Sequence, residues 1–442
     1  MVTKTSCVAA GDIFISRRLP AKRYEGFEDL RQLILQHEVR FANLEILFLE
    51  GDEGYPAYIP GTYAMGPPAA IEDVKSMGFN IFSTANNHQM DFSHKGLVSS
   101  LGHLRDHGIL HAGTGINMGE AAAPVFFECS DARVGLVAAC STIDGYQPAG
   151  NQREDMLGRP GLNPLRFETR RYVSADQIEA LKVIAKGTYV NSYHDTMVKA
   201  GFMVDPKGGY YFGGEYFFER DTPGVDTQVL EEDMERVLRS IREVRRQADF
   251  ALVSIHAHEG LATDQTSPAT FMRDFCHRCI DEGATAVIGH GSHVVRGVEM
   301  YGKGVIFYSL GNVLFENDTV RLQPADWFQK YSLPDNAYVG EGMDAREQSG
   351  AAARAASGSG PTAYNRGPGM YKTVLATWDM EDGGVNNVRL HPVELGNGLP
   401  RYRRGLPTLS KEEGILEYMN GLSGKFNTGI EIKDGVGYVK PL

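Results

Sequence analysis

Residues 79–91 read FNIFSTANNHQMD, an apolar run of strand length that gives way to Asn86, Asn87, His88 and Asp91. Such side chains are poor core material, so the segment predicts a buried strand whose carboxyl end carries polar chemistry. The same design recurs on both sides of it. SCVAAGDIFI (6–15) carries Asp12 near its end, and VRFANLEILFLE (39–50) carries Asn43 and Glu45. ADFALVSIHAH (248–258) ends in His256 and His258, ATAVIGHGSH (284–293) in His290 and His293, and GVIFYSLGN (304–312) in Asn312. ARVGLVAACST (132–142) adds one more apolar run. Amphipathic segments at 27–37, 69–78, 94–108, 226–247 and 267–283 read as the helices between them. This alternation predicts an α/β fold with largely buried strands. In open α/β sheets, sites form outside the carboxyl ends of the strands, so these side chains are expected to converge. The 226–247 helix opens on Asp or Thr, with acids early and arginines late, which suits the helix dipole.

The chain has 442 residues, enough for one large α/β domain with additions or for two domains. Its 42% hydrophobic and 23% charged content is ordinary for a globular protein. The net charge of −12 argues against a nucleic-acid or anionic-membrane binder. The amino-terminal residues lack a signal-type apolar region, and no segment approaches the roughly 18 apolar residues of a spanning helix. The expectation is a cytoplasmic protein without a membrane anchor. The cysteines at 7, 129, 140, 276 and 279 are odd in number and scattered, which is not a disulfide framework. Cys276 and Cys279 fall on a predicted amphipathic helix and read as helix-face residues.

Residues 1–320 are expected to form the main domain. Within it, the Gly- and Tyr-rich stretch 150–225 reads as an insertion that covers the site, with Tyr193, Tyr211 and Tyr216 expected to bind substrate. Residues 343–368 are low in complexity and read as a mobile surface loop. Residues 369–442 are expected to add strands and a helix to the same domain. They show one hairpin around Asp382-Gly383-Gly384, a helix within 409–423 and a second hairpin at 430–439.

Carboxylate, amide oxygen and imidazole together suit a hard or borderline divalent ion: calcium, manganese, magnesium or zinc. The set Asp12, Glu45, Asn87, His256 and His293 contains no thiol, which disfavours a structural zinc site. His88 and Asp91 are three residues apart, a spacing that allows an oriented histidine acting as acid or base.

Several stretches carry a resemblance: GDIFISRRL (11–19), ANLEILF (42–48), NNHQMDFSHKGL (86–97), AGTGINMGEAAAP (112–124), GRPGLNPLR (158–166), VSIHAHEG (253–260) and VIGHGSHVVRGVEMYGKGVIFYSLGN (287–312). Together they resemble CapA-type proteins of poly-γ-glutamate capsule biosynthesis, within the calcineurin-like metallophosphoesterase superfamily. The resemblance implies a four-layer α/β/β/α sandwich and a centre of one or two divalent ions. It implies Asp12, Glu45 and Asn87 as ligands, His88 as the catalytic histidine with Asp91 beside it, and His256 and His293 as the later histidines. His258 and His290 are expected to touch substrate. The sequence departs from the superfamily at Phe14, where a second ligand histidine is usual, and at Glu45, where aspartate is usual. His256-Ala257-His258 replaces a usual His-Trp-Gly, and His290 and His293 break the usual His-x-His spacing.

The implied activity is metal-dependent hydrolysis of an amide or peptide-like substrate, poly-γ-glutamate or a small peptide, with His88 protonating the leaving group. Three alternatives share these parts. One is epimerisation at a peptide Cα, with His88–Asp91 as one base and His256 or His293 with Asp12 as the other. The second is phosphoester hydrolysis, and the third is a non-catalytic accessory role in capsule biosynthesis.

Overall fold

The structure is a computed structural model that describes residues 3–59, 61–262, 264–357 and 369–442, with the side chains of 353–357 left aside. Two sheets face each other. The ten-stranded sheet runs Thr428–Lys433, Val436–Pro441, Gly384–Glu394, Lys372–Glu381, Lys4–Phe14, Val39–Leu44, Ile81–Ser83, His111–Ala112. Asn312–Phe315 pairs with the carboxyl end of Lys4–Phe14, and Thr408–Leu409 pairs with Gly384–Glu394. The six-stranded sheet runs Val298–Tyr301, Gly304–Phe307, Ala286–Gly291, Phe250–Ala257, Arg133–Cys140, Val125–Glu128.

The layering follows from side-chain parity. Cys7 and Ala9 point to one face of their strand and pack with Leu136, Leu252 and Ile288 of the second sheet. Val8 and Ala10 point the other way, onto Leu30, Ile34 and Val74 of an outer helix layer. On the second sheet, Val137, Val253 and Ile255 face Val237, Ile241 and Phe275 of the helices Glu231–Gln247 and Thr270–Glu282. Strands covered on both faces need apolar residues at every position, which is why they read as continuous runs. The result is the α/β/β/α sandwich that was expected. Cys276 and Cys279 lie buried in the outer core, as helix-face residues would.

The helix expected from 226 opens at Glu231 instead. Residues Gly224–Val229 pair antiparallel with Phe167–Val173, and a register that seats Val229 against Phe167 outweighs a helical start. Both strands belong to a lobe that extends the 150–225 stretch to residue 229. Its sheet runs Gly209–Phe212, Glu215–Glu219, Phe167–Val173, Gly224–Val229, and the helices Ala175–Thr188 and Ser192–Lys199 complete it. The lobe is fastened to the outer helix layer. Phe167 stacks on Phe271 at 4.2 Å, and Arg166 binds Asp233 at 2.7 Å.

Part of the expected loop at 343–368 is helical. The helix Val339–Ser357 runs through its first fifteen positions, where the alanine-rich GAAARAAS favours helix. Residues 358–368 lie outside the described residues. The carboxyl-terminal hairpin turns at Asp382 and Gly383, with φ of 49° and 74°, the left-handed pair of a tight two-residue turn. The second hairpin repeats this at Asp434 and Gly435.

Candidate metal centre

Asp12, Glu45, Asn87, His256 and His290 all sit at or just beyond the carboxyl ends of parallel strands. Register brings them level: Asp12 opposes Asn43 and Asn312 in the first sheet, and His256 opposes His290 in the second. The sheets meet at Asp12. Its Oδ1 accepts from Asn43 Nδ2 at 2.8 Å, and its Oδ2 accepts from the Gly291 amide at 2.8 Å. His290 Nδ1 lies 3.2 Å from Asp12 Oδ1, and His256 Nδ1 lies 3.7 Å from the same oxygen. Two glycines permit this approach. A Cβ on Gly11 would lie 1.8 Å from the Gly311 carbonyl oxygen, and one on Gly291, at φ +99°, would press on the His256 ring.

Glu45 is the centre's unusual member. Its side chain is 0% exposed, yet neither oxygen has a hydrogen-bond partner. Around it stand His256 Nε2 at 3.6 Å, His293 Nδ1 at 3.8 Å and His88 Nε2 at 3.9 Å. Burial, with the charges of Asp12 and Asp91 added, pushes the Glu45 carboxyl well above the usual carboxylate range. An unpaired buried acceptor costs roughly 1–3 kcal/mol, and more when charged. Burial also pushes His256 well below its ordinary value, and it takes His258 down to about 3, with His293 and His88 adding to it. His293 is lowered too, first by burial, with Asp12 opposing and Arg346 contributing. Burial works against ionising Asp12, but His290, His293 and the Gly291 amide outweigh it and hold the carboxyl below its ordinary value. Neutral imidazoles facing buried carboxylates make a good cation site.

Three overlapping trios place their ligand atoms within 4.8 Å of one another: Asp12–His256–His290, Glu45–His256–His258 and Asp12–Glu45–His293. Asn87 Oδ1 joins them, 2.8 Å from His256 Nε2. The donor set therefore fits a divalent ion, and an ion would relieve the orphaned carboxyl of Glu45. Side chains behind the donors fix their orientation. Ser254 Oγ lies 2.7 Å from His290 Nε2, leaving Nδ1 toward Asp12. His293 Nδ1 donates to Asn312 Oδ1 at 3.0 Å, and His293 holds a left-handed φ of 58°.

The Asn86–Asp91 segment divides its labour. Asn86 caps the short helix Asn87–Met90, accepting from the His88 amide while its own amide donates to the Leu44 carbonyl. Asn87 and His88 face the centre. His88 Nδ1 donates to Asp91 Oδ2 at 2.7 Å, and the same oxygen accepts from the Ala64 amide. His88 Nε2 is thereby turned toward Glu45, and its ring is 12% exposed. Phe14, where the superfamily pattern has a histidine, packs edge-on against His88 with ring centroids 5.7 Å apart.

The expected substrate residues separate into two places. His258 and His290 lie inside the centre, among the candidate ligands. Tyr211 and Tyr216 instead pack on His194 within the lobe, and Tyr193 stands 71% exposed there. The ring contacts of Tyr211 and Tyr216 and the hydroxyl bonds of Tyr216 stay in that lobe. Two supports of the centre were not singled out from sequence, Ser254 and the Gly291 amide. Ser254 had a usable signal, since it lies two residues before His256 and so shares its face.

Comparison with known proteins places the chain in a family. The description "Bacterial capsule synthesis protein PGA_cap" matches residues 6–317. The chain is 31% identical over 439 residues to the uncharacterized protein y4sH of Sinorhizobium fredii, covering 98% of this chain and 92% of that one. It is 22% identical over 267 residues to the PGA biosynthesis protein CapA of Bacillus subtilis, covering 60% and 50% respectively. The chain belongs to the PGA_cap family of capsule synthesis proteins. A putative 5′-nucleotidase from Staphylococcus aureus aligns with a TM-score of 0.36 at 10% identity, over 70% of this chain and 49% of that one. No helix among the described residues is long and apolar enough to cross a membrane.

Proposed function

We propose that this protein is a divalent-metal-dependent hydrolase of amide or peptide-like substrates, using His88 as its proton donor. The observation that carries the reading is Glu45, a fully buried carboxyl with two partnerless oxygens ringed by three histidines. Asp12, Glu45, Asn87, His256, His258, His290 and His293 would hold the ion or ions. A bound divalent ion supplies Lewis acidity toward a carbonyl oxygen or a water. The chain's own part is proton handling and positioning. Asp91 fixes the His88 tautomer with its proton on Nδ1, so Nε2 is the atom that takes a proton from the attacking water and gives it to the departing amine. Phe14 walls one edge of that ring, keeping bulk water from it. The relatives named for PGA biosynthesis favour a γ-linked glutamyl substrate.

A second reading, epimerisation at a Cα, is favoured by one specific feature. His88 and His293, at 12% and 15% exposure, stand near opposite oxygens of Glu45 at 3.9 and 3.8 Å. Two such groups suit proton removal from one face and return to the other. One experiment separates the readings. Oligo-γ-glutamate and simple peptides are incubated with metal-loaded protein in deuterium oxide and followed by mass spectrometry. New amine ends without Cα deuterium mean hydrolysis. Cα deuterium in intact peptide means epimerisation. Neither, across all four ions, contradicts an enzymatic role on these substrates.

A further inference from the structure

Among the described residues, Arg346 has no carboxylate partner. It lies on the helix Val339–Ser357, half-buried, and its guanidinium donates to Thr62 Oγ1. No carboxylate pairs with it among the described residues. The acids beside it on the helix, Asp344 and Glu347, are both bound by Arg401. A half-buried guanidinium with five donors and, among the described residues, one hydroxyl partner has spare binding capacity of a planar, forked kind that matches a carboxylate.

Its position gives that capacity a purpose. Thr62 is buried and lies two residues before Ala64, whose amide holds Asp91, which in turn holds His88. Met343 of the same helix packs into a core with Tyr63, Met90 and Phe92, so the helix is seated against the His88 segment. On the other side, the same helix packs against the turn Asn317–Thr319, which follows Phe315. Tyr371 packs on Phe315, and Phe315 packs on His293 with ring centroids 5.3 Å apart. The helix that carries Arg346 thus lies on the side of the centre where His88 and His293 stand, both partly exposed at 12% and 15%. The charge of Arg346 is left unmatched among the described residues. An anionic ligand would match it.

We infer that Arg346 is a substrate-positioning residue that binds a carboxylate of the ligand at the mouth of the metal centre. That contact would place the carboxylate next to the bond that faces His88. The inference rests on the proposed site for the location of the ligand, but not on which reaction follows.

The test is calorimetric and needs no turnover. The protein, loaded with the ion it retains on purification, is titrated with γ-glutamyl-glutamate, with its fully amidated counterpart and with inorganic phosphate. Wild type, R346Q and R346K are compared, with metal content and Tm measured on each. The expected result is at least tenfold weaker binding of the dipeptide to R346Q, partial recovery in R346K, and equal binding of the amidated peptide to all three. Metal content and Tm should not change. Equal dipeptide affinity in wild type and R346Q, or no dipeptide binding to wild type, overturns the inference. Arg346-dependent binding of phosphate but not dipeptide overturns the carboxylate assignment. Should R346Q fail to fold, Thr62→Val removes the hydroxyl that aims the guanidinium. It should reduce the preference for the dipeptide over its amide at least threefold, and an unchanged preference contradicts the inference. Arg346-dependent binding in a protein that never hydrolyses the peptide would sink the hydrolase reading and leave this one standing.

Discussion

The metal centre and the His194 cluster of the lobe use the same vocabulary of histidine, carboxylate and aromatic ring, but their balances differ. In the lobe, His194 Nε2 lies 2.8 Å from Asp205 Oδ1 and 3.2 Å from the Tyr216 hydroxyl, which itself donates to Asp205 at 2.9 Å. Tyr211 stacks on the imidazole at 3.7 Å, and Asn191 ties down the Tyr211 carbonyl. None of the buried polar side-chain atoms left without a partner falls in this lobe, among the described residues. The centre leaves both oxygens of Glu45 without one. A cluster that satisfies itself needs no ligand to explain it. A cluster with an orphaned acid among neutral imidazoles does.

The sharpest way to break this contrast is to remove a ligand. Asp12→Ala should abolish metal retention and lower any metal-dependent turnover by at least roughly a thousandfold, because Asp12 joins the two sheets as well as two of the trios. Metal-dependent activity that survives in this variant would break the account of the site. Next in size is His88→Ala, expected to lower kcat by roughly 10²–10⁴ while metal content stays at the wild-type level. Asp91→Asn should give a smaller loss, since it disturbs the tautomer and not the proton donor itself. Steady-state rates beside elemental analysis would show whether holding the ion and moving the proton are separable, as the geometry requires.

A third test uses a second buried glutamate. Glu316 resembles Glu45 in burial but has an arginine, Arg17 Nε, 3.0 Å away. Burial pushes its carboxyl up to about 7, although Arg17 opposes the shift. The folded state then keeps a proton that the unfolded chain releases above its ordinary carboxylate pKa. Stability should therefore fall as pH rises from about 4.5 to about 7, by up to roughly 3 kcal/mol, and level off above that. Denaturant melts of wild type and Glu316→Gln across this window should show the extra slope only in wild type. The smallest effect is expected in the lobe. His194→Phe keeps the stack on Tyr211 but loses the bonds to Asp205 and Tyr216, which should cost about 1 kcal/mol. Metal content and kcat should be untouched, and a loss of either would tie the lobe to the centre.

The sequence made the sandwich legible because two-sided burial writes itself as unbroken apolar runs. The centre was legible because its side chains follow those runs directly, as Asp12, Glu45, Asn87 and His256 do. Asn86 shows the limit of that signal: it looks like its neighbour Asn87, yet its amide is spent on Leu44 and the turn. Aromatic density in the lobe is ambiguous. Tyr211 and Tyr216 stack around a histidine of their own segment, and composition does not reveal whether a ring's partner is a ligand or the chain itself. The helix expected over 226–229 gives way to strand pairing with Phe167–Val173 that spans about sixty positions of sequence, beyond any local window. The orphan state of Glu45 and the missing carboxylate partner of Arg346 are absences among the described residues, and only a three-dimensional accounting of partners exposes them.

The central claim is that the Glu45 pocket holds a divalent ion. It is tested most directly by mass-spectrometric metal analysis of wild type and Glu45→Gln, each stripped with chelator and then dialysed against calcium, manganese, magnesium and zinc in turn. The account predicts one or two tightly held ions per wild-type chain with at least one metal, and a clear reduction in the variant, which has a neutral amide in place of the carboxylate. Wild-type protein that retains none of the four, or a variant that holds as much as wild type, would contradict it.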